Sequence, residues 1–217
     1  MLESGYLTNH FLIAMPALAD PNFFRTVTYI CEHNSDGAMG IVINRPLDIR
    51  LGEILRQVNI EGGDNEIANQ PVCMGGPVQY ERIFILHQPL LHWESTLPIT
   101  DTLGLSTSRD ILTAIARREF PGQALVALGY AGWGPGQLEE ELAQNAWLSG
   151  QADDVQGRAI AKGSTSVAGD RKPGATDVEG RTTAHILFET PYEKRWSAAA
   201  ALLGVDISNL SGDVGHA

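Results

Sequence analysis

Thr26-Val-Thr-Tyr-Ile-Cys-Glu-His33, Asn34-Ser-Asp-Gly37 and Ala38-Met-Gly-Ile-Val-Ile-Asn44 follow one another without a break. The first and third segments are rich in β-branched, aromatic and aliphatic residues, which fit a pleated, half-buried surface. The cluster between them has turn chemistry, so the stretch predicts an antiparallel hairpin with a loop of four to five residues. A hairpin this early in the chain does not fit a pure βαβ repeat, because parallel neighbours need a long crossover.

The flanking sequence adds strands and helices in mixed order. His10 to Met15 reads as a buried strand, and Asp20-Pro21 has the chemistry to open one short helical turn over Asn22 to Arg25. Leu51 to Val58 carries apolar residues at helical spacing. Val72 to Met74 and Arg82 to Gln88 read as strands, residues 89–98 as irregular and Thr100 to Leu105 as an edge strand. Thr107 and Asp110 resemble a capping box opening a helix to Arg118. Ala124 to Ala131 is continuously apolar, as expected of a central strand. Gly132 to Gly136 reads as a turn, Gln137 to Leu148 as a helix and Ile186 to Phe188 as a last strand. Thr190-Pro191 opens a final helix that Gly204 stops.

Residues 150–183 differ. They hold six glycines, no aromatic residue and four large aliphatics, too little apolar surface to offset the entropy of ordering. This stretch is predicted to be a flexible insertion within one domain covering 1–217, since the residues after it are too few to build a core alone. The mixture predicts an α+β single domain with a mixed, mostly antiparallel sheet flanked by helices.

Charge narrows the function. Across 217 residues there are 15 Lys and Arg against 26 Asp and Glu, a net charge of −11, and no lysine precedes Lys162. Nucleic-acid binders gain affinity by neutralising phosphates with a basic face, so the balance argues against direct nucleic-acid binding. It also disfavours anionic membranes, and no run reaches the roughly 18 apolar residues of a membrane span. Phe11 to Ala19 imitates the end of an export signal, but Glu3 stands where a positive region belongs and no basic residue precedes Arg25. The expected compartment is the cytoplasm. Two cysteines, Cys31 and Cys73, are too few for a disulfide framework and read as reduced core thiols.

Four constellations can carry chemistry. Cys31 and His33 are two apart on a strand and so share a face, and with Cys73 they offer three zinc-type ligands. No paired-ligand spacing supports this, and the sequence predicts no metal and no cofactor. Gly75 and Gly76 before Pro77 allow close backbone approach, either as a ligand cradle or as a tight connection. Trp133, Gly134 and Gly136 open a helix bearing Gln137 and Glu140, a geometry suited to anions. The glycines match neither a P-loop nor a dinucleotide fingerprint, and Glu139 to Glu141 would repel phosphate. Gln137, Glu140, Glu141 and Asn145 read as a solvated face with Leu138 and Leu142 inward. Asn34, Asn44 and Arg45 stand at strand ends, with Arg45 expected in a structural ion pair or on an anionic ligand. No nucleophile elbow or triad spacing appears.

Residues 5–46 (GYLTNHFLIAMPALADPNFFRTVTYICEHNSDGAMGIVINRP), 74–78 (MGGPV), 129–148 (GYAGWGPGQLEEELAQNAWL) and 188–206 (FETPYEKRWSAAAALLGVD) together resemble the bacterial AlgH/YqgE family. The resemblance implies a single α+β domain with a large, partly barrel-like sheet and a cytosolic protein. Some members carry the label of transcriptional regulator, and none supplies catalytic residues to transfer. The stretch 150–183 departs from the family, which joins these elements more briefly.

Acidic balance, missing catalytic spacing and this resemblance lead to a binding or regulatory protein that is not an enzyme. It would act through an unidentified protein or small-molecule partner and affect transcription without gripping DNA. The alternative is an enzyme or small-ligand carrier with a site at 75–77 and 132–136. The candidate ligand-binding residues are Asn34, Asn44, Arg45, Gly75, Gly76, Trp133, Gly134, Gln137 and Glu140.

Overall fold

The apolar run expected at the centre of the sheet lies there as strand β9 (Gln123–Trp133). The computed structural model describes residues 6–15, 18, 20–151 and 182–205. The other strands are β1 (His10–Ala14), β2 (Val27–Asn34), β3 (Gly37–Val42), β4 (Pro46–Arg50), β5 (Pro71–Met74), β6 (Val78–Gln88), β7 (Thr96–Pro98), β8 (Gly104–Ser106) and β10 (Trp147–Gln151). They run in the order β10-β1-β2-β3-β9-β6-β8-β7, with β5 pairing both β4 and β9. Only β5–β9 is parallel among these pairings, so the α+β, mostly antiparallel expectation holds, and the sheet curls into a half-barrel.

β9 reads as continuous apolar sequence because both of its faces are covered. Leu125 and Ala127 enter a core roofed by a π-helix (His185–Glu189) and α5 (Tyr192–Leu202). Val126 enters a second core beneath α1 (Leu51–Gln57) and α3 (Arg109–Ala116), beside the short α2 (Asn65–Ala68). A third cluster joins Leu12, Ile30, Trp133 and Trp147 to Leu138 of α4 (Gln137–Ala143). Gly129 separates the regimes. Its φ is +70°, and an added Cβ would lie 2.5 Å from the Gly76 carbonyl oxygen. Alternation is reset there, and Tyr130 joins the first core while Ala131 and Trp133 join the third.

Several boundaries differ from the sequence reading. The hairpin loop is two residues, Ser35-Asp36, because Asn34 pairs Gly37 directly. The predicted edge strand at 100–105 is mostly a turn, in which Thr100 accepts from the Leu103 amide, and only Gly104 and Leu105 of it are strand, in β8; β7 falls in the stretch read as irregular. Ser108, not Thr107, precedes α3, and the Asp110 carboxylate accepts from Ser108 and from the Glu94 amide. The helix expected to reach Leu148 ends at Ala143. Asn145 takes φ +56°, and Trp147–Gln151 pairs β1 as a strand. Ile186 to Phe188 is part of the π-helix, not a strand. Gly150 and Gln151 of the expected insertion belong to β10, and residues 152–181 lie outside the described residues. Among the described residues no helix is long and apolar enough to cross a membrane.

Candidate functional site

The end of β9, the Gly134–Gly136 turn and the β2–β3 hairpin meet at one corner of the sheet. Gly37 is required there, because a Cβ at its φ of +128° would fall 2.2 Å from the Trp133 carbonyl oxygen. The two indoles at the corner, Trp133 and Trp147, lie 5.9 Å apart at 78°, and Phe23 packs on both. One carboxylate oxygen of Glu141 accepts from both indole N–H groups, at 2.9 and 2.7 Å. The other accepts from Gln137 at 2.9 Å. Buried indole N–H groups need a partner, and a single helical carboxylate supplies it for two rings.

The remaining predicted residues join this scaffold. Gln137 returns its carbonyl oxygen to the Gly134 amide at 3.0 Å, closing the turn that starts α4. Asn44 accepts from the Val27 amide and donates to the Arg25 carbonyl, both at 2.8 Å. Arg45 makes no ion pair among the described residues. Its guanidinium donates to the carbonyls of Asn22, Pro21 and Phe24 at 2.7, 2.9 and 3.0 Å, which pins the loop that delivers Phe23. Partial burial lowers its pKa, with Asp20 opposing. Asn34 accepts from the Asp36 amide at 2.8 Å, an Asx turn that shapes the hairpin. Glu140 is exposed on the outer side of α4.

Gly75 and Gly76 are not an open cradle. The Gly75 amide donates to Leu128, its carbonyl accepts from Val42, and a Cβ on Gly76 would lie 2.1 Å from the Tyr130 carbonyl carbon. The space these glycines leave is filled by the backbone of β9. They therefore adjoin β9 three to six residues before Gly134, at Leu128 to Ala131, without facing a common void with that turn.

The Cys31–His33–Cys73 grouping also dissolves. A bulge between Ile30 and Glu32 inserts Cys31 as an extra residue, so His33 pairs Ala38 and faces the third cluster while Cys31 and Cys73 enter the first core. His33 accepts the Leu7 amide on Nδ1 at 2.9 Å, which leaves Nε2–H to donate to Glu139 at 3.0 Å. The pair ties the N-terminal segment to α4. Among the described residues no group of three His, Cys, Asp or Glu is placed to hold a metal.

Sequence reasoning missed three arrangements. Glu141 was grouped with a solvated face. The usable signal was its i,i+4 spacing from Gln137, with tryptophans flanking the helix. Buried Arg195 donates to the carbonyls of Thr190 and Ile43 and lies 4.0 Å from the Tyr192 ring centroid. Cys73 is beside them. Burial pushes its thiol up to about 12 against the pull of Arg195, and burial likewise pushes Tyr192 up to about 12. The third is a fully buried pair: His87 donates from Nδ1 to the Pro89 carbonyl, so Nε2 accepts from Ser106 at 2.9 Å, and Thr96 follows at 2.9 Å. Nothing local in the sequence marks the latter two, because the bonds that close them, His87–Ser106 and Arg195–Ile43, join residues 19 and 152 positions apart.

The open space at the corner is a cleft of about 420 Å³ between the hairpin and β9. It is lined by Glu32, Asn34, Asp36, Met39, Val78 and Tyr130, with Gly37, Gly132 and Trp133 adjoining. Two of the predicted residues, Asn34 and Trp133, border it.

The chain matches a family model described as AlgH-like (DUF179) over residues 11–159. It is 51% identical over 212 residues to a UPF0301 protein of Nitrosococcus oceani, covering 98% of this chain and 97% of that one. It is 50% identical to a UPF0301 protein of Thioalkalivibrio sulfidiphilus over the full length of both. The solution structure of the AlgH protein from Pseudomonas aeruginosa is 44% identical, with a TM-score of 0.71 over the whole of both chains. The crystal structure of protein DIP2367 from Corynebacterium diphtheriae, 19% identical with a TM-score of 0.54 over 70% of this chain and 79% of that one, shares the fold.

Proposed function

From the premise that this chain belongs to the AlgH-like family, we propose that it is a non-enzymatic binding protein whose regulatory effect passes through a protein partner. One observation carries this reading. Five of the side chains that the sequence offered as ligand-binding at the glycine-rich corner are committed to holding it. Asn44, Arg45, Asn34 and Gln137 bond backbone groups, and the Trp133 indole is held by Glu141. A reacting centre needs a nucleophile and a base free to meet substrate, whereas this corner offers a rigid, shaped surface. Rigid presentation of a patch is what a docking protein requires.

Regulation of transcription, on this reading, is indirect. The net charge of −11 gives DNA phosphates no reservoir of counter-charge. The compartment that fits is the cytoplasm. Affinity capture from native lysate, followed by mass spectrometry of proteins and small molecules, tests the proposal. A reproducible protein partner recovered in stoichiometric amount is expected. Recovery of a tightly held metabolite that the protein converts would overturn it in favour of an enzyme or carrier. Tight, salt-sensitive retardation of one specific duplex in a gel-shift titration would overturn the indirect mode.

A further inference from the structure

We propose that the cleft between the β2–β3 hairpin and the end of β9 receives an arginine side chain from a basic segment of a protein partner. The inference rests on the partner-binding reading above and names where and by what chemistry the partner is held.

Shape comes first. Met39, Val78 and Tyr130 are half-buried and form apolar walls, and Gly132 leaves the floor open. A Cβ at Gly132 would stand 3.0 Å from the Tyr130 ring, so even one methyl crowds this wall. The Tyr130 ring is fixed edge-on to Phe84, with centroids 5.4 Å apart. Its hydroxyl makes no hydrogen bond among the described residues.

Charge then selects the occupant. The cleft's ionisable side chains, apart from Tyr130, are Glu32 and Asp36, both exposed at the rim, and none of its lining residues is basic. The Asp36 carboxylate accepts no hydrogen bond among the described residues, and Glu32 accepts a single long one, 3.3 Å, from Asn34. Glu139 and Glu140 open α4 at the same corner, and only Glu139 has a partner, His33. Two carboxylates with unused acceptor capacity call for a cation. The apolar walls call for one with a hydrocarbon stem and a weakly hydrated planar head, which describes arginine better than lysine or a hydrated metal ion. A tyrosine ring on the wall adds a favourable contact for a guanidinium. The open mouth and exposed rim suit a side chain presented by a passing polypeptide. An enclosed small ligand would bury most of its own surface.

The test uses the full-length isotopically labelled protein and two peptides, acetyl-Gly-Arg-Gly-Arg-Gly-amide and the same peptide with citrulline in place of arginine. Free N-acetyl-arginine amide separates a bound peptide from a bound amino acid. The arginine peptide is expected to cause saturable amide shifts at Glu32, Asp36, Met39, Tyr130 and Gly132. It should bind at least about tenfold more tightly than the citrulline peptide, and more tightly than the free amino acid. Combining Glu32→Gln with Asp36→Asn should weaken binding about tenfold. Asp101→Asn with Glu119→Gln, which removes two exposed charges near the opposite end of β9, should change it less than about twofold. Equal losses in the two double variants, shifts scattered over the acidic surface, equal binding of citrulline, or tighter binding of the free amino acid would each overturn the proposal. Those outcomes leave the partner-binding reading standing, because that reading is decided by recovery of a partner from lysate. A recovered partner that the arginine peptide fails to displace would sink the cleft alone.

Discussion

The corner around Trp133 and two buried polar sites on opposite faces of the sheet, Arg195 of α5 and His87 beside β8, handle buried polarity in opposite ways. At the corner, charge meets uncharged donors and acceptors across a partly exposed surface: Glu141 takes two indoles, and Arg45 takes three carbonyls of one loop. At the two buried sites, polar groups are sealed in and bond no carboxylate among the described residues. Arg195 is held by carbonyls and an aromatic ring, and His87 is held neutral between a carbonyl and Ser106. The lesson concerns what each region can do. The corner keeps exposed carboxylates and a cleft that face solvent, whereas the two buried sites are interior, and their polar groups fix helix and strand positions.

The contrast makes quantitative predictions, beginning with the buried guanidinium. Replacing Arg195 by Ala should cost about 3 kcal/mol in chemical denaturation, since it empties a buried site and strands two carbonyls. Arg195→Met should recover part of the loss by refilling the volume. A loss below about 1 kcal/mol would mean the buried guanidinium is not structural.

Glu141→Ala comes next, at about 2 kcal/mol, because two indole N–H groups lose their acceptor together. Trp fluorescence should shift as well. An unchanged spectrum with full stability would show that the carboxylate is dispensable. Arg45→Ala should cost about 1 to 2 kcal/mol, and the exchange of amides at 22–26 should rise before that of β9, since only the loop is pinned. Uniform acceleration across the sheet would contradict a local role.

The smallest effect is a pH dependence. Burial lowers the pKa of His87 below its ordinary value, so the unfolded chain binds a proton that the folded chain resists. The contribution is therefore complete above about pH 6.5 and lost as pH falls toward the lower folded value. Its slope is at most about 1.4 kcal/mol per pH unit. His87→Gln should flatten that part of the stability profile while lowering stability at neutral pH. An unchanged acid limb would assign the dependence to other groups.

Much of the framework was legible because it rests on local patterning. The hairpin at 26–44, the apolar β9 and the α5 start at 190–192 follow from composition and spacing within a dozen residues. Errors gathered where a distant partner overrode local preference. Gln144 to Leu148 has helical composition, yet β1 offers an unpaired edge and Glu141 captures the Trp147 indole, so the chain leaves the helix. Ile186 to Phe188 looks like a strand, but its aliphatic residues are drawn as a π-helix over the first core. Of the candidate site residues, Asn34 and Trp133 border the cleft. Met39, Val78 and Tyr130 had no signal, because their convergence depends on three strands meeting.

Sequence alone determined the fold class, the central strand and the acidic balance, since each depends on residue type and short-range period. Which face each side chain occupies was decided only in three dimensions. The bulge at Cys31 and the left-handed Gly129 each shift alternation by one residue. A one-residue shift moves every later side chain on a strand to the opposite face, and that physical fact separated His33 from the thiols and placed Tyr130 in the cleft.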